Sequence, residues 1–115
     1  MAFPGIKSAT KFGKSTKAML EAELLPPARD DFEESYLWYL KRSTDAADRF
    51  TVAIEDAIEK LCGDPTCGIR LDGEHRFYRL KKSFPFYLVY CTEPAKIVVV
   101  AIAHNRREPN YWRGR

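Results

Sequence analysis

The chain has 115 residues, 45% hydrophobic and 13% aromatic, with a formal net charge of +3; that is apolar material for one modest core and too little for two ordinary domains. Three cysteines, Cys62, Cys67 and Cys91, are an odd set without a CxxC pair, which argues against a disulfide framework and for a reducing compartment. No run nears the ~18 apolar residues that span a bilayer, and the N-terminus lacks the apolar stretch of a secretion signal, so a cytoplasmic protein without membrane contact is expected.

Residues 1–17 carry Lys7, Lys11, Lys14 and Lys17, no acid, and several Gly, Ser and Thr without an apolar period. They are expected to form a flexible arm ahead of a single domain over residues 18–115. Leu20, Ala22 and Leu24 alternate with Glu21 and Glu23, the period of a half-buried strand at a sheet edge. Pro26 and Pro27 end it and suit a first helical turn, where a missing amide hydrogen costs nothing. Asp30, Asp31, Glu33 and Glu34 would then favour the positive end of that helix.

The helix has an apolar stripe of Phe32, Tyr36, Tyr39 and Leu40 and runs to about Arg42. Trp38 falls off the stripe, leaving it either covered by the N-terminal arm or free to anchor a partner. Ser43, Thr44 and Asp45 supply capping side chains for a second helix. Ala46, Ala47, Phe50, Ala53, Ile54, Ala57, Ile58 and Leu61 form its inner face, and Gly63-Asp64-Pro65 ends it. Small alanines allow the two helices to close as an antiparallel hairpin.

Beyond the helices, Asp72-Gly73 marks a turn and Phe77–Leu80 a strand. Phe84–Cys91 is aromatic and β-branched, with Pro85 tolerable near its start, and Thr92–Lys96 is a hairpin loop. Ile97–His104 is apolar on both alternations, the mark of a strand buried on both faces in the middle of a sheet. His104, at its end, reads more readily as a packing histidine than as a base. The fold class expected is α+β: an N-terminal strand, an antiparallel helical hairpin, then a three-stranded antiparallel meander forming one sheet.

Charge is polarised along the chain. Residues 26–63 hold nine acids and five bases, whereas residues 64–115 hold ten bases and five acids. The basic half could face an acidic partner, or serve solubility alone. Its densest stretch is Asn105-Arg-Arg-Glu-Pro-Asn-Tyr-Trp112, where Arg106, Arg107, Tyr111 and Trp112 suit phosphate or protein contacts. Tyr111 and Trp112 could equally fold back over the sheet. Cys62, Cys67 and His75 have no usual zinc-ligand spacing, and no metal or other cofactor is expected.

Three segments together, Leu25-Pro-Pro-Ala-Arg-Asp-Asp-Phe-Glu-Glu-Ser35, Tyr78-Arg-Leu-Lys-Lys-Ser-Phe-Pro-Phe-Tyr-Leu-Val-Tyr90 and Val100-Ala-Ile-Ala-His-Asn-Arg-Arg-Glu-Pro-Asn-Tyr-Trp112, resemble the RelE/ParE toxins of bacterial type II toxin–antitoxin systems, some of them known for plasmid stabilisation. The resemblance runs from about Leu24 to Trp112. It implies a compact toxin held inactive by a cognate antitoxin whose C-terminal segment wraps the helices and sheet, with a toxin–antitoxin hetero-oligomer as the inactive form.

RelE-like members cleave messenger RNA in the ribosome with lysines, arginines and a tyrosine. Cations stabilise the charged transition state while a lysine or tyrosine moves protons. On that branch the resemblance implies Arg79, Lys81, Arg106, Arg107 and Tyr111 as catalytic residues. Solvated strand and loop positions would carry the same Arg79, Lys81 and Lys82 with no chemistry attached. ParE-like members instead bind DNA gyrase and need no chemistry of their own. Tyr87 stands where an RNA-cleaving relative would place an arginine before its Leu-Val-Tyr, and the tail resembles ParE-type chains more closely. The expectation is therefore ParE-like: Arg106, Arg107, Tyr111 and Trp112 meet the target, and Leu37 and Trp38 meet the antitoxin. A decayed toxin that only binds its antitoxin is a further alternative.

Overall fold

The computed structural model describes residues 20–81 and 83–115. The arm expected over residues 1–17, and Lys82, lie outside the described residues. Strand β1 (Glu21–Leu24) leads into helix α1 (Pro26–Leu40) and helix α2 (Thr44–Gly63). Four strands follow: β2 (Ile69–Arg70), β3 (Arg76–Arg79), β4 (Phe86–Glu93) and β5 (Lys96–His104). They form one sheet in the order β1-β5-β4-β3-β2. The β3-β4-β5 meander is antiparallel, and β1 joins β5 in parallel, as an edge strand reached through the helical hairpin. The α+β class and the element order thus match expectation.

Two details of the sheet differ from the sequence reading. The two-residue strand β2 is added at the far edge, both of its side chains exposed. Strand β5 is interior and Ile97–Ala103 are all buried, yet the middle position belongs to β4 because β1 supplies just one neighbour on the other side. The β4–β5 register shifts between Val89 and Tyr90, where β5 carries the extra, unpaired residue Val100; such a bulge increases local twist.

Helix α1 has no side-chain cap at Leu25 and no acid in its first turn. The expected dipole role for Asp30, Asp31, Glu33 and Glu34 therefore fails, since the effect fades beyond the terminal turn. α1 ends at Leu40 rather than about Arg42, and Leu40 is 37% exposed instead of completing the inner stripe. The stripe is Ala28, Asp31, Phe32, Tyr36 and Tyr39. Phe32 stacks on Phe50 of α2 at 5.5 Å between centroids, and Tyr39 meets Phe84 edge-on at 5.4 Å. Ser43 caps α2, accepting from the Ala46 amide at 3.1 Å.

The helices cover one sheet face, where Leu88, Tyr90, Val99 and Ile102 meet Phe32, Phe50, Ile54 and Ile58. Between α2 and β2 the chain is pinned by Tyr90, whose hydroxyl accepts from Gly68 N at 3.0 Å and donates to Pro65 O at 2.7 Å. Only glycine fits at 68, because a Cβ would collide with the Tyr90 hydroxyl and lie 2.7 Å from Phe77 O. The opposite face is covered by the C-terminal tail, with Trp112 packed on Val89, Val100 and Ala101.

Candidate functional site

The strand register decides which side chains can act together. Arg79 pairs directly with Tyr87 and Phe77 with Val89, so these four point to the tail-covered face while Tyr78 and Leu88 point to the helices. Lys81 follows the end of β3 and lines a separate groove of about 370 Å³ against α2, beside Arg49, Lys60 and Tyr78. Arg79 instead lines a cup of about 440 Å³ with Phe77, Tyr87, Asn105 and Trp112.

The tail turns off β5 through His104, whose Nδ1 accepts from Arg106 N at 2.9 Å and whose carbonyl accepts from Arg107 N at 2.9 Å. Asn110, at φ 66°, supplies the left-handed residue that reverses the chain. Two carboxylates then staple it. Asp72 accepts from Arg113 Nη1 at 2.8 Å and also from the backbone amides of Glu74 and His75 at 2.8 and 2.7 Å. These bonds, the Arg113 contact foremost, hold the Asp72 carboxyl well below its ordinary range.

Asp31 is the other staple. It is 6% exposed, and its Oδ2 accepts from Ile102 N at 3.1 Å, Tyr111 Oη at 3.0 Å and Arg115 Nη1 at 2.8 Å. Burial, then the charge of Asp31 and the hydrogen bond to it, push the Tyr111 phenol far above its usual value. That phenol is a donor and a poor base at neutral pH.

Trp112 is 2% exposed and meets the His75 ring at a tilt, 4.9 Å between centroids, so it offers a target almost no surface. Arg106 and Arg107 are exposed, the latter lying over the Tyr111 ring at 3.9 Å from guanidinium carbon to centroid. Among the five residues considered for RNA cleavage, the structure brings together Arg107 and Tyr111. Arg79 and Lys81 line two other cavities.

A third cavity, about 440 Å³, opens between α1 and the start of β4, with Trp38, Tyr39, Pro85, Phe86 and Ile102 as apolar walls and Asp31, Glu34, Ser35, His104 and Arg107 as polar ones. Trp38 is 51% exposed, and Leu37 beside it 47%. The Arg42 guanidinium stacks on the outer side of the Trp38 ring at 3.7 Å. A large exposed apolar side chain next to an apolar cavity is the usual form of a protein-docking site.

Asp31, which holds the tail, is the site residue that the sequence reading did not single out. Its helical position beside Ala28, Phe32 and Ser35 places it on the inner stripe, and an acid on such a stripe needs a buried partner.

A family model for the ParE toxin of type II toxin–antitoxin systems, parDE, matches residues 22–109. Among solved structures, the chain is similar to one from the chromosomal ParDE toxin–antitoxin system of P. aeruginosa, at 16% identity and a TM-score of 0.65, over 76% of this chain and 98% of that one. At that identity the likeness speaks for the fold alone. No curated protein matches the chain.

Proposed function

The chain belongs to the ParE toxin family of type II toxin–antitoxin systems, and we propose on that basis that it arrests bacterial growth from the cytoplasm by binding DNA gyrase, and that a cognate antitoxin neutralises it. The target-facing surface is the tail tip, with Arg106 and Arg107 as its exposed cations and Tyr111 as the platform beneath Arg107. The antitoxin docks on α1, with Leu37 and Trp38 as anchors and the cavity beside Trp38 as the socket for an apolar side chain.

One observation carries this reading over RNA cleavage. Arg79, Lys81 and Arg107 line three separate cavities, and the tyrosine that would move a proton is committed to a buried carboxylate. A fixed basic tip with no assembled acid/base pair suits recognition of a protein surface. The deciding experiment compares purified toxin in a gyrase supercoiling assay and in translating ribosomes. Blocked supercoiling with intact messenger RNA is the expected result; cut messenger RNA with gyrase unaffected would replace this reading with the endonuclease one.

A further inference from the structure

The tail is held by a carboxylate on a distant element. Asp31 belongs to α1, and its donors come from β5 (Ile102) and from the tail (Tyr111 and Arg115). Arg115 forms a fork, Nη1 to Oδ2 at 2.8 Å and Nη2 to Oδ1 at 3.3 Å, and Nη1 also donates to Val100 O at 3.1 Å. The Arg115 side chain is itself 16% exposed. Its guanidinium also sits 4.9 Å from the Tyr111 ring, on which Arg107 stacks at 3.9 Å.

If the tail lifts, Asp31 keeps the Ile102 amide and loses every donor the tail supplies. A buried carboxylate left with one backbone amide is costly, so Asp31 and the tail are docked or undocked together. Asp72 fixes the opposite side through Arg113, but that pair is solvent-facing, at 33% and 45% exposure, and exposed pairs contribute little.

We infer that Asp31 is the positioning residue of the toxin: through Tyr111 and Arg115 it sets where Arg106 and Arg107 are presented. The functional half of this inference rests on the tail being the target-facing surface. Asp31 touches no target itself and acts through the residues it holds.

The test uses the full chain. Asp31→Asn keeps the shape and an acceptor but removes the charge that Arg115 needs. Amide hydrogen exchange is measured over residues 105–115 and over α2 and β4, and growth arrest is scored on induction at a temperature well below the melting midpoint. The expected result is exchange at least about tenfold faster in the tail, unchanged protection in α2 and β4, and growth arrest lost. Arg115→Ala should speed tail exchange less in the Asp31→Asn background than in the parent, because the two changes share the Asp31–Arg115 fork while the Arg115 bond to Val100 O is independent of it. A merely stabilising contact would leave growth arrest at its wild-type level.

Tail protection unchanged in Asp31→Asn overturns the inference, as does a freed tail with full growth arrest. Should Asp31→Asn fail to fold, the pair Tyr111→Phe with Arg115→Ala attacks the same bonds from the tail side and must give the same exchange pattern. Wild-type protein that leaves gyrase supercoiling untouched sinks the gyrase reading alone, and the exchange comparison still decides the role of Asp31.

Discussion

Arg107 lies over the ring of Tyr111 at 3.9 Å, and the hydroxyl of that same ring donates to Asp31 at 3.0 Å, so an exposed cation is aimed by a buried acid through one aromatic side chain. Arg106→Ala combined with Arg107→Ala should abolish growth arrest. Both residues are exposed, so the melting midpoint should move by less than about 2 °C. Induction of the double variant beside a thermal melt checks both points, and retained toxicity at wild-type stability would remove the tail from the target surface.

Trp38→Ala should separate neutralisation from toxicity. The ring is half exposed and borders the α1 cavity, so its loss should weaken antitoxin binding by about 2 kcal/mol, roughly 30-fold in Kd. Growth arrest in the absence of antitoxin should persist. Titration calorimetry with the purified antitoxin gives the affinity, and an unchanged Kd would mark Trp38 as a surface residue stacked on Arg42 and nothing more.

Much of this frame is legible in the sequence because its signals are local. The α2 stripe from Ala47 to Leu61 and the unbroken apolar run of β5 each specify their own burial. The parallel pairing of β1 with β5 joins segments some 75 residues apart, and β2 is two exposed residues with no period to read. The side of the sheet on which Arg79 lies follows from its pairing with Tyr87, because a one-residue slip in register would reverse the face. Lys81 leaves that face because the strand has already ended. Periodicity places Asp31 on the inner stripe, but its partners are not legible, since Tyr111 and Arg115 lie 80 and 84 positions along the chain. A hydrogen bond across that separation leaves no periodic trace.

Alkaline pH should destabilise the fold through Cys62. The thiol is fully buried, and burial, assisted by Glu59 and Glu21, pushes it from 9.0 to about 11. A folded value above the unfolded one means the unfolded chain releases its proton first. The stability tied to this group is therefore complete below pH 9 and lost as pH rises through about 11. Two units correspond to about 3 kcal/mol. Tyr111 and Tyr90 are shifted in the same direction and should extend the decline above pH 10, the ordinary tyrosine value. Urea unfolding from pH 8 to 11 should show a shallower slope for Cys62→Ala, and an identical slope would assign the loss to the tyrosines and to Cys67 and Cys91, whose thiols burial also pushes up.

Tyr90→Phe should cost about 1–3 kcal/mol, because it removes the acceptor for Gly68 N and the donor to Pro65 O within a packed region. Denaturant unfolding measures the loss. A variant as stable as the parent would show that water replaces the hydroxyl and that the loop after α2 does not depend on it.

Trp112 tests whether the tail is core or contact surface. Its ring fills the space over Val89, Val100 and Ala101 and packs at a tilt against His75, so Trp112→Ala should cost about 3–5 kcal/mol, a large share of the ~5–15 kcal/mol that holds a typical domain. Trp112→Phe keeps most of the apolar contact and should lose about half as much or less. The pair separates packing from recognition. If the ring only holds the tail down, Trp112→Phe arrests growth like the parent, and Trp112→Ala fails in proportion to its unfolded fraction. Loss of growth arrest in Trp112→Phe at near-parental stability would instead make the indole a target contact, reached by the target through an opening of the tail.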